Sequence, residues 1–308
     1  VNEGRFVAAL DIGGTKLAAG LVGEDGALRS KVAVSTEPER GPADVLDRAL
    51  DLARAVWDDA DKIGIQPAAL GVATKGITKE QAVYVAGMPG WEHMRIPARV
   101  RERFPGVATA IINDVRAATL AEMTWGALKG TETGLYINLG TGFAAGVVAG
   151  AQLLPGAHDA AGEVGLMVPS RAALRNHMPG DALLERQIAG QAVPRRSMER
   201  LGVAASTEQL VELAKTDARA AALLAEIADD IGIWVTNVAL VVDPERIAIG
   251  GGFLGWGPAL LERIAEVVRE CMPFTPEVVQ AHFGAASALV GAGALAHSLV
   301  SSVSRTLP

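Results

Sequence analysis

The chain carries one short structural phrase twice. Val7 to Val22 reads VAALDIGGTKLAAGLV, an apolar run ending in Asp11, then Gly13 and Gly14, then a second run of small apolar residues. Tyr136 to Gly150 reads YINLGTGFAAGVVAG, in which Asn138-Leu139-Gly140-Thr141-Gly142 echoes Asp11-Ile12-Gly13-Gly14-Thr15. The offset between the copies changes by one residue within the loop. Each copy predicts strand, tight glycine turn, strand. Glycine leaves no Cβ between the backbone and a ligand, so successive N–H groups at such a turn are able to face phosphate oxygens. Neither loop is G-x-x-x-x-G-K-[ST] or G-x-G-x-x-G. A hairpin that merely needs glycines is the competing reading of either copy alone. The repeat favours two similar halves, with a polyphosphate between their loops.

The 308 residues are enough for two domains. Half are hydrophobic, alanine and glycine abound and aromatics are few, which fits a large core of small, closely packed side chains. A net charge of −7 argues against a nucleic-acid surface. It does not exclude ATP, because backbone amides and Mg²⁺ supply positive field locally. Cys271 is the single cysteine, so no internal disulfide and no cysteine-based zinc site is available, and a reducing cytoplasmic setting is expected. No signal peptide and no membrane span is read from the hydropathy pattern.

Between the repeats, the pattern alternates strands and helices, as in an α/β domain. Val45, Leu46, Ala49, Leu52, Ala53 and Val56 recur at helical spacing. Leu70 to Ala73 is a short buried strand leading into Thr74-Lys75-Gly76. Ala108 to Ile112 is a strand that delivers Asn113-Asp114 to the start of a helix. In the second half, Gly190 to Gly202 is basic and expected to be exposed. Ala218 to Leu240 is a long apolar helix, Arg246 to Ile249 a strand running into Gly250-Gly251-Gly252, and Ala285 to Val300 a terminal helix.

Carboxylates at strand ends face the crevice of an α/β sheet. Asp114 there suits a general base that takes the proton of a hydroxyl attacking phosphate. The competing role is a cap for the helix at Val115, but the two phosphate-type loops favour the base. Asp11 is placed to hold a metal ion or its water. Glu163 lies between glycines and suits ligand hydroxyls, with a solvated loop carboxylate as the alternative. Gly250 to Gly252 allow close approach of an adenine ring or a phosphate, or else make a tight turn. Lys75 beside Gly76 is able to reach a substrate or simply be solvated. The five histidines form no H-E-x-x-H or other ligand pair.

Taken together these motifs resemble the sugar kinases of the ROK family (repressors, open reading frames, kinases), over almost the whole chain. The resemblance implies a two-domain α/β fold of the actin-like ATPase (hexokinase, ribonuclease H-like) type with an interdomain cleft. Residues 1–114 would form a small domain, with the helix at 290–308 returning to it, and residues 115–289 a large one. Asp11-Ile12-Gly13-Gly14-Thr15-Lys16 looks like the first phosphate loop of the family and Gly140-Thr141-Gly142 like the second. Asn113-Asp114 matches the pair supplying a sugar contact and the base. Ala161-Gly162-Glu163-Val164-Gly165 matches the start of the E-x-G-H signature, and the stretch from Asp243-Pro244 to Gly252 the adenosine segment. Glu185 matches a sugar-contacting glutamate. The family regulators carry an N-terminal helix-turn-helix, and none is expected in the residues given before Asp11.

Departures from the family pattern fall on the sugar side. Leu166 replaces the histidine that binds zinc and touches the sugar. In an ungapped alignment Asn176, Met178 and Leu183 replace the three zinc cysteines, so no structural zinc is expected. Gly87 replaces an asparagine before Pro89-Gly90-Trp91, and Lys75 replaces a proline. The resemblance therefore implies ATP-dependent, Mg²⁺-assisted phosphorylation of a hydroxyl, with an acceptor other than glucose: an unusual hexose, an amino sugar or a C7-cyclitol. Phosphorylation of glucose, a non-catalytic sugar or nucleotide sensor, and an actin-like ATPase with a protein partner are the alternatives. A homodimer is implied by the resemblance alone, and no nucleic-acid or membrane partner is expected.

Overall fold

The structure is a computed structural model that describes residues 5–79, 82–84, 90–178 and 181–305. In chain order, strands β1 (Phe6–Ile12), β2 (Lys16–Gly23) and β3 (Leu28–Ser35) precede helix α1 (Pro42–Lys62). Strand β4 (Ala69–Thr74), the short pair β5 (Ile77–Lys79) and β6 (Ala82–Tyr84), helix α2 (Ile96–Arg103), β7 (Ala108–Asn113) and α3 (Asp114–Thr124) follow. The second half opens with β8 (Gly134–Leu139), β9 (Phe143–Ala149) and β10 (Gln152–Leu153). Helices α4 (Glu185–Ile188), α5 (Val193–Leu201), α6 (Thr207–Ala214) and α7 (Ala218–Val242) lead to β11 (Arg246–Gly250). Helix α8 (Pro258–Cys271), β12 (Glu277–Gln280) and α9 (Ser287–Arg305) complete the chain.

These elements form two compact units. The first comprises Val1–Lys129, Pro155–Ala160 and Ala286–Pro308, the second Gly130–Leu154 and Ala161–Ala285. The first sheet has the order β3-β2-β1-β4-β7 and the second β10-β9-β8-β11-β12. In each, the three earliest strands are antiparallel neighbours and the last two join in parallel. The repeated glycine loop is thus the first hairpin of a repeated five-stranded sheet.

In the first unit, Ala8, Leu10 and Ile12 of β1 and Leu17, Ala19 and Leu21 of β2 point to one face. They meet Val45, Leu46, Ala49, Leu50, Ala53 and Val56 of α1, all buried. Their i, i+3, i+4 spacing explains why this stretch is helical. Helix α9 lies on the opposite face, against α3, β1 and β4. Its approach is close because the contacts are glycines. A Cβ on Gly291 would overlap the carbonyl of Ala117, one on Gly71 the carbonyl of Ala292, and one on Gly293 the side chain of Val22. Gly284–Ser301 is the one stretch among the described residues long and apolar enough to cross a membrane, and it includes this packed surface. Because α3 packs against α9, the boundary of the unit falls after Lys129, one helix later than the Asp114 expected from sequence.

The second core joins Leu135, Ile137 and Leu139 of β8 to Ile227, Ile231 and Val235 of α7 and to Ile264 and Val268 of α8. The basic stretch expected to be exposed forms α5, which leaves Arg195 and Arg200 exposed and buries Val193 and Ser197. Arg195, Arg196 and Arg200 pair with Glu199, Asp230 and Glu226, so its positive charge is matched by acidic side chains. Strands β10 and β12 complete the sheet edges. They are too short, and lack the alternation, to announce themselves as strands in the sequence.

Candidate active site

In the first unit, the parallel register brings three strand ends level. Ile12 of β1 pairs with Thr74 of β4, and Thr74 pairs with Asn113 of β7. The residues that emerge from these carboxyl ends are Gly13-Gly14, Lys75-Gly76 and Asp114, which sequence had placed far apart. Ligands of open α/β sheets bind at this end.

Asn113, not Asp114, caps helix α3. Its buried Oδ1 accepts the N–H groups of Val115 at 2.9 Å and Arg116 at 3.0 Å, and its Nδ2 donates to the carbonyl of Gly76 at 3.1 Å. Asp114 is therefore relieved of the cap role, although its Oδ1 also accepts from the Val115 N–H at 2.9 Å. Burial pushes the Asp114 carboxyl from 3.8 up to about 6, against that hydrogen bond and the charge of exposed Lys75, which lower it. Burial, and after it the negative charge of Asp114, pushes Asp11 up to about 7, while Lys31 on β3 opposes the rise. A buried carboxylate raised further by a neighbouring carboxylate fits a site completed by a cation.

The glycines divide by what surrounds them. Gly13 is needed for the hairpin itself: its N–H donates to the Lys16 carbonyl at 3.0 Å, and a Cβ would lie 2.8 Å from that oxygen. Gly14 has nothing within 4 Å of its Cβ position, and Thr15 and Lys16 beside it are exposed. Buried Thr36 stabilises this turn from below, its hydroxyl donating to the Gly13 carbonyl at 2.7 Å and its N–H to the Thr15 carbonyl at 3.0 Å. Thr36 lies in no recognisable motif, so only the fold reveals its role.

In the second unit, three separate segments converge on the β8–β9 hairpin. Gly140 donates to the Gly142 carbonyl at 3.0 Å and accepts from the Gly190 N–H at 2.9 Å. Glu185 Oε2 accepts the Phe143 N–H at 3.0 Å, and Glu185 Oε1 accepts Gln191 Nε2 at 2.6 Å. Gly162, with φ of 90°, sits tight against the Ala145 carbonyl, whose own N–H donates to the Gly162 carbonyl at 2.8 Å. This clamp carries the loop in which Glu163 stands half-buried. Of the three glycines that end and follow β11, Gly250 is filled in by the Tyr136 ring and Gly251, at φ of 95°, by the Leu139 carbonyl. Only Gly252 is open, and its N–H nitrogen lies 3.6 Å from where a Cβ on Gly140 would stand. Thr141 is exposed at the tip of the loop.

Gly87 falls outside the described residues. Among the described residues no three His, Cys, Asp or Glu side chains gather as a metal site. The Asp11 carboxylate is a hard oxygen donor of the kind that fits Mg²⁺, which beside nucleotides takes few protein carboxylates and fills its other positions with water and phosphate oxygens.

The ROK family model matches residues 7–299. The chain is 29% identical to the glucokinase of Streptomyces coelicolor over 314 aligned residues, covering 93% of this chain and 96% of that one. It is 26% identical to the N-acetylmannosamine kinase of Shigella flexneri over 94% of this chain and 98% of that one. The solved structure of a ROK family glucokinase from Streptomyces griseus, in complex with glucose and AMPPNP, superposes with a TM-score of 0.81 at 26% identity. It covers 95% of this chain and 99% of that chain. The fold is the two-domain α/β fold of the actin-like ATPases, and with a family match spanning both sheets the chain belongs to the ROK family.

Proposed function

We propose that this protein is an ATP-dependent kinase acting on a hydroxyl of a sugar or sugar-like small molecule, with Asp114 as general base. The observation that carries the reading is the division of labour between Asn113 and Asp114. The asparagine takes over the helix cap, and the aspartate, at the carboxyl end of parallel strands, has a carboxyl raised to about 6. Such a group is ionised at neutral pH and still basic enough to accept a proton in the transition state.

Asp114 takes the proton of the acceptor hydroxyl as its oxygen attacks the γ-phosphorus. The bond to the β–γ bridging oxygen breaks and ADP leaves. Little covalent chemistry falls to the protein, so positioning and charge neutralisation carry most of the rate. Gly14, Thr15 and Lys16 of the first unit and Gly140, Thr141, Gly142 and Gly252 of the second would serve the nucleotide, with Gly13, Gly250 and Gly251 shaping those turns. Asp11 would hold Mg²⁺, which supplies charge neutralisation to the phosphates when bound. Asn113, Lys75, Gly76, Glu163 and the remaining lone pairs of Glu185 would serve the acceptor. A homodimer, which rests on the family alone, and a reducing cytoplasm, which rests on the single cysteine, complete the reading.

The acceptor is proposed to be an unusual hexose, an amino sugar or a C7-cyclitol. Leu166 removes a polar contact from a site built for hydroxyls, and lost contacts of this kind discriminate strongly between substrates. The test is ADP release with Mg-ATP against glucose, N-acetylmannosamine, N-acetylglucosamine, glucosamine and C7-cyclitols such as valienone, with Asp114→Asn as control. Turnover on one class, abolished by Asp114→Asn, supports the reading. Full efficiency on glucose sinks the substrate assignment. Binding without turnover replaces the kinase with a sensor on the same scaffold.

A further inference from the structure

One ion pair of the first unit is held against three costs. Arg116 Nη1 lies 3.1 Å from Asp159 Oδ1, the two side chains being 12% and 33% exposed. Arg116 Nε is buried and donates to no acceptor among the described residues, so it forfeits hydration without compensation. Asp159 adopts a φ of 55°, the left-handed region that non-glycine residues enter at a cost. Arg116 also stands in the first turn of α3, where the helix dipole favours acids over cations. Costs of this kind persist where the surrounding structure has a use for them, and they cluster at functional sites.

The same turn carries the base. Arg116 follows Asp114 by two residues, and its N–H lies on Asn113 Oδ1. The first turn of α3 therefore has two tethers. Asn113 ties it to the Lys75-Gly76 loop, and Arg116 ties it to Pro155–Ala160, the segment that leads in sequence to Gly162-Glu163.

We propose that Arg116 is a positioning residue. Its pair with Asp159 clamps residues 155–160 onto the first turn of the helix that begins with Asp114, and this clamp sets the affinity for the acceptor. The link to acceptor affinity rests on the kinase reading; the clamp itself does not.

Arg116→Met keeps the aliphatic stem and removes the charge and donors. Asp159→Gly suits the backbone conformation and removes the carboxylate. Hydrogen exchange on the full chain is expected to show amides of 155–160 exchanging roughly tenfold faster or more in both variants, with β1 and α9 as protected as in the wild type. The acceptor KM rises about tenfold, the ATP KM stays within about twofold, and the double variant resembles the single ones. Arg116→Lys, which keeps the charge but not the planar fork, recovers part of the loss. Unchanged exchange at 155–160 in both variants overturns the clamp. Faster exchange, or a lower melting temperature, with an unchanged acceptor KM overturns the positioning role and leaves Arg116 merely structural. If the wild type phosphorylates no acceptor while exchange responds as expected, the kinase reading fails and the clamp stands.

Discussion

Glu185 stands directly beneath Gly142: a Cβ on that glycine would lie 2.5 Å from Glu185 Oε2, the oxygen that accepts the Phe143 N–H. The second glycine loop is thus propped by a carboxylate 42 residues beyond Phe143 in the chain. Glu185→Ala removes the acceptor for the Phe143 amide and the partner of Gln191, and is expected to cost about 1–3 kcal/mol of stability and to raise the ATP KM. Glu185→Gln retains an acceptor oxygen and is expected to cost less. Chemical denaturation and ATP titration of the two variants check this order; equal effects would mean that the charge, not the prop, matters.

Asp114 must be ionised to act as a base, so kcat/KM should rise with pH through about 6 and level off above it. Lys75 pulls that value down. Lys75→Met is therefore expected to move the acid limb upward by roughly half a unit, the lysine being exposed and partly screened. A pH profile of wild type and variant decides it, and a limb that moves down contradicts the assignment. Asp114→Asn should lower kcat by at least about a hundredfold.

Asp11 is the opposite of a stabilising ion pair. Its carboxyl ionises at about 7 when folded and at 3.8 in the reference state. Between these values the folded state holds the extra proton, so the contribution of Asp11 to stability falls as pH rises from about 4 to 7 and stays low above. Asp11→Asn should then be more stable than wild type at pH 8, by about 2 kcal/mol, and nearly equal to it at pH 4, while losing activity. Thermal unfolding at both pH values measures the difference. A variant less stable at pH 8 would refute the sign.

Gly14 and Gly252 have open space where a Cβ would go, whereas Gly13 does not. Gly14→Ala and Gly252→Ala are expected to change stability by no more than about 1 kcal/mol yet raise the ATP KM several-fold, because the added methyl occupies room kept for the nucleotide. Gly13→Ala should lower stability as well. Equal ATP KM values in wild type and Gly14→Ala would show that the turn is glycine for its own sake.

Gly291 faces the Ala117 carbonyl at a distance that admits no methyl group. Gly291→Ala should destabilise the fold by at least about 2 kcal/mol, since α9 has to move away from α3. The equivalent change at Gly284, where a Cβ meets nothing, acts only through its φ of 51° and should cost less. Denaturation midpoints of the two variants give the comparison.

Much of the site was legible as spacing. Asp11 and Asn113-Asp114 stand at strand ends because apolar runs of β length precede them, and the loop Gly140 to Gly142 announces itself by repeating Gly13 and Gly14. Roles within the motifs were less legible. Asn113 and Asp114 are equally good caps by composition, and nothing in the order of residues says that the asparagine takes the amides. Thr36 and Gly190 carry no motif, and the motif of Gly162 does not announce its contact with Ala145, because these contacts are with residues distant in sequence. Helix α5 keeps Arg195 and Arg200 exposed, as its basic composition suggests, but its short buried stripe and the acids of α7 that meet Arg196 and Arg200 are not legible in the sequence.

Hydrophobic period, glycine turns and short motifs are local properties, so the order of residues alone specifies the repeated strand–glycine–strand unit, the α/β class and the family. Tertiary structure decided which glycines are open and which are filled, which carboxylates are raised, and that Arg116 meets Asp159. Those outcomes depend on burial and on neighbours brought together by sheet register and helix packing, and desolvation and van der Waals exclusion have no expression in a one-dimensional string.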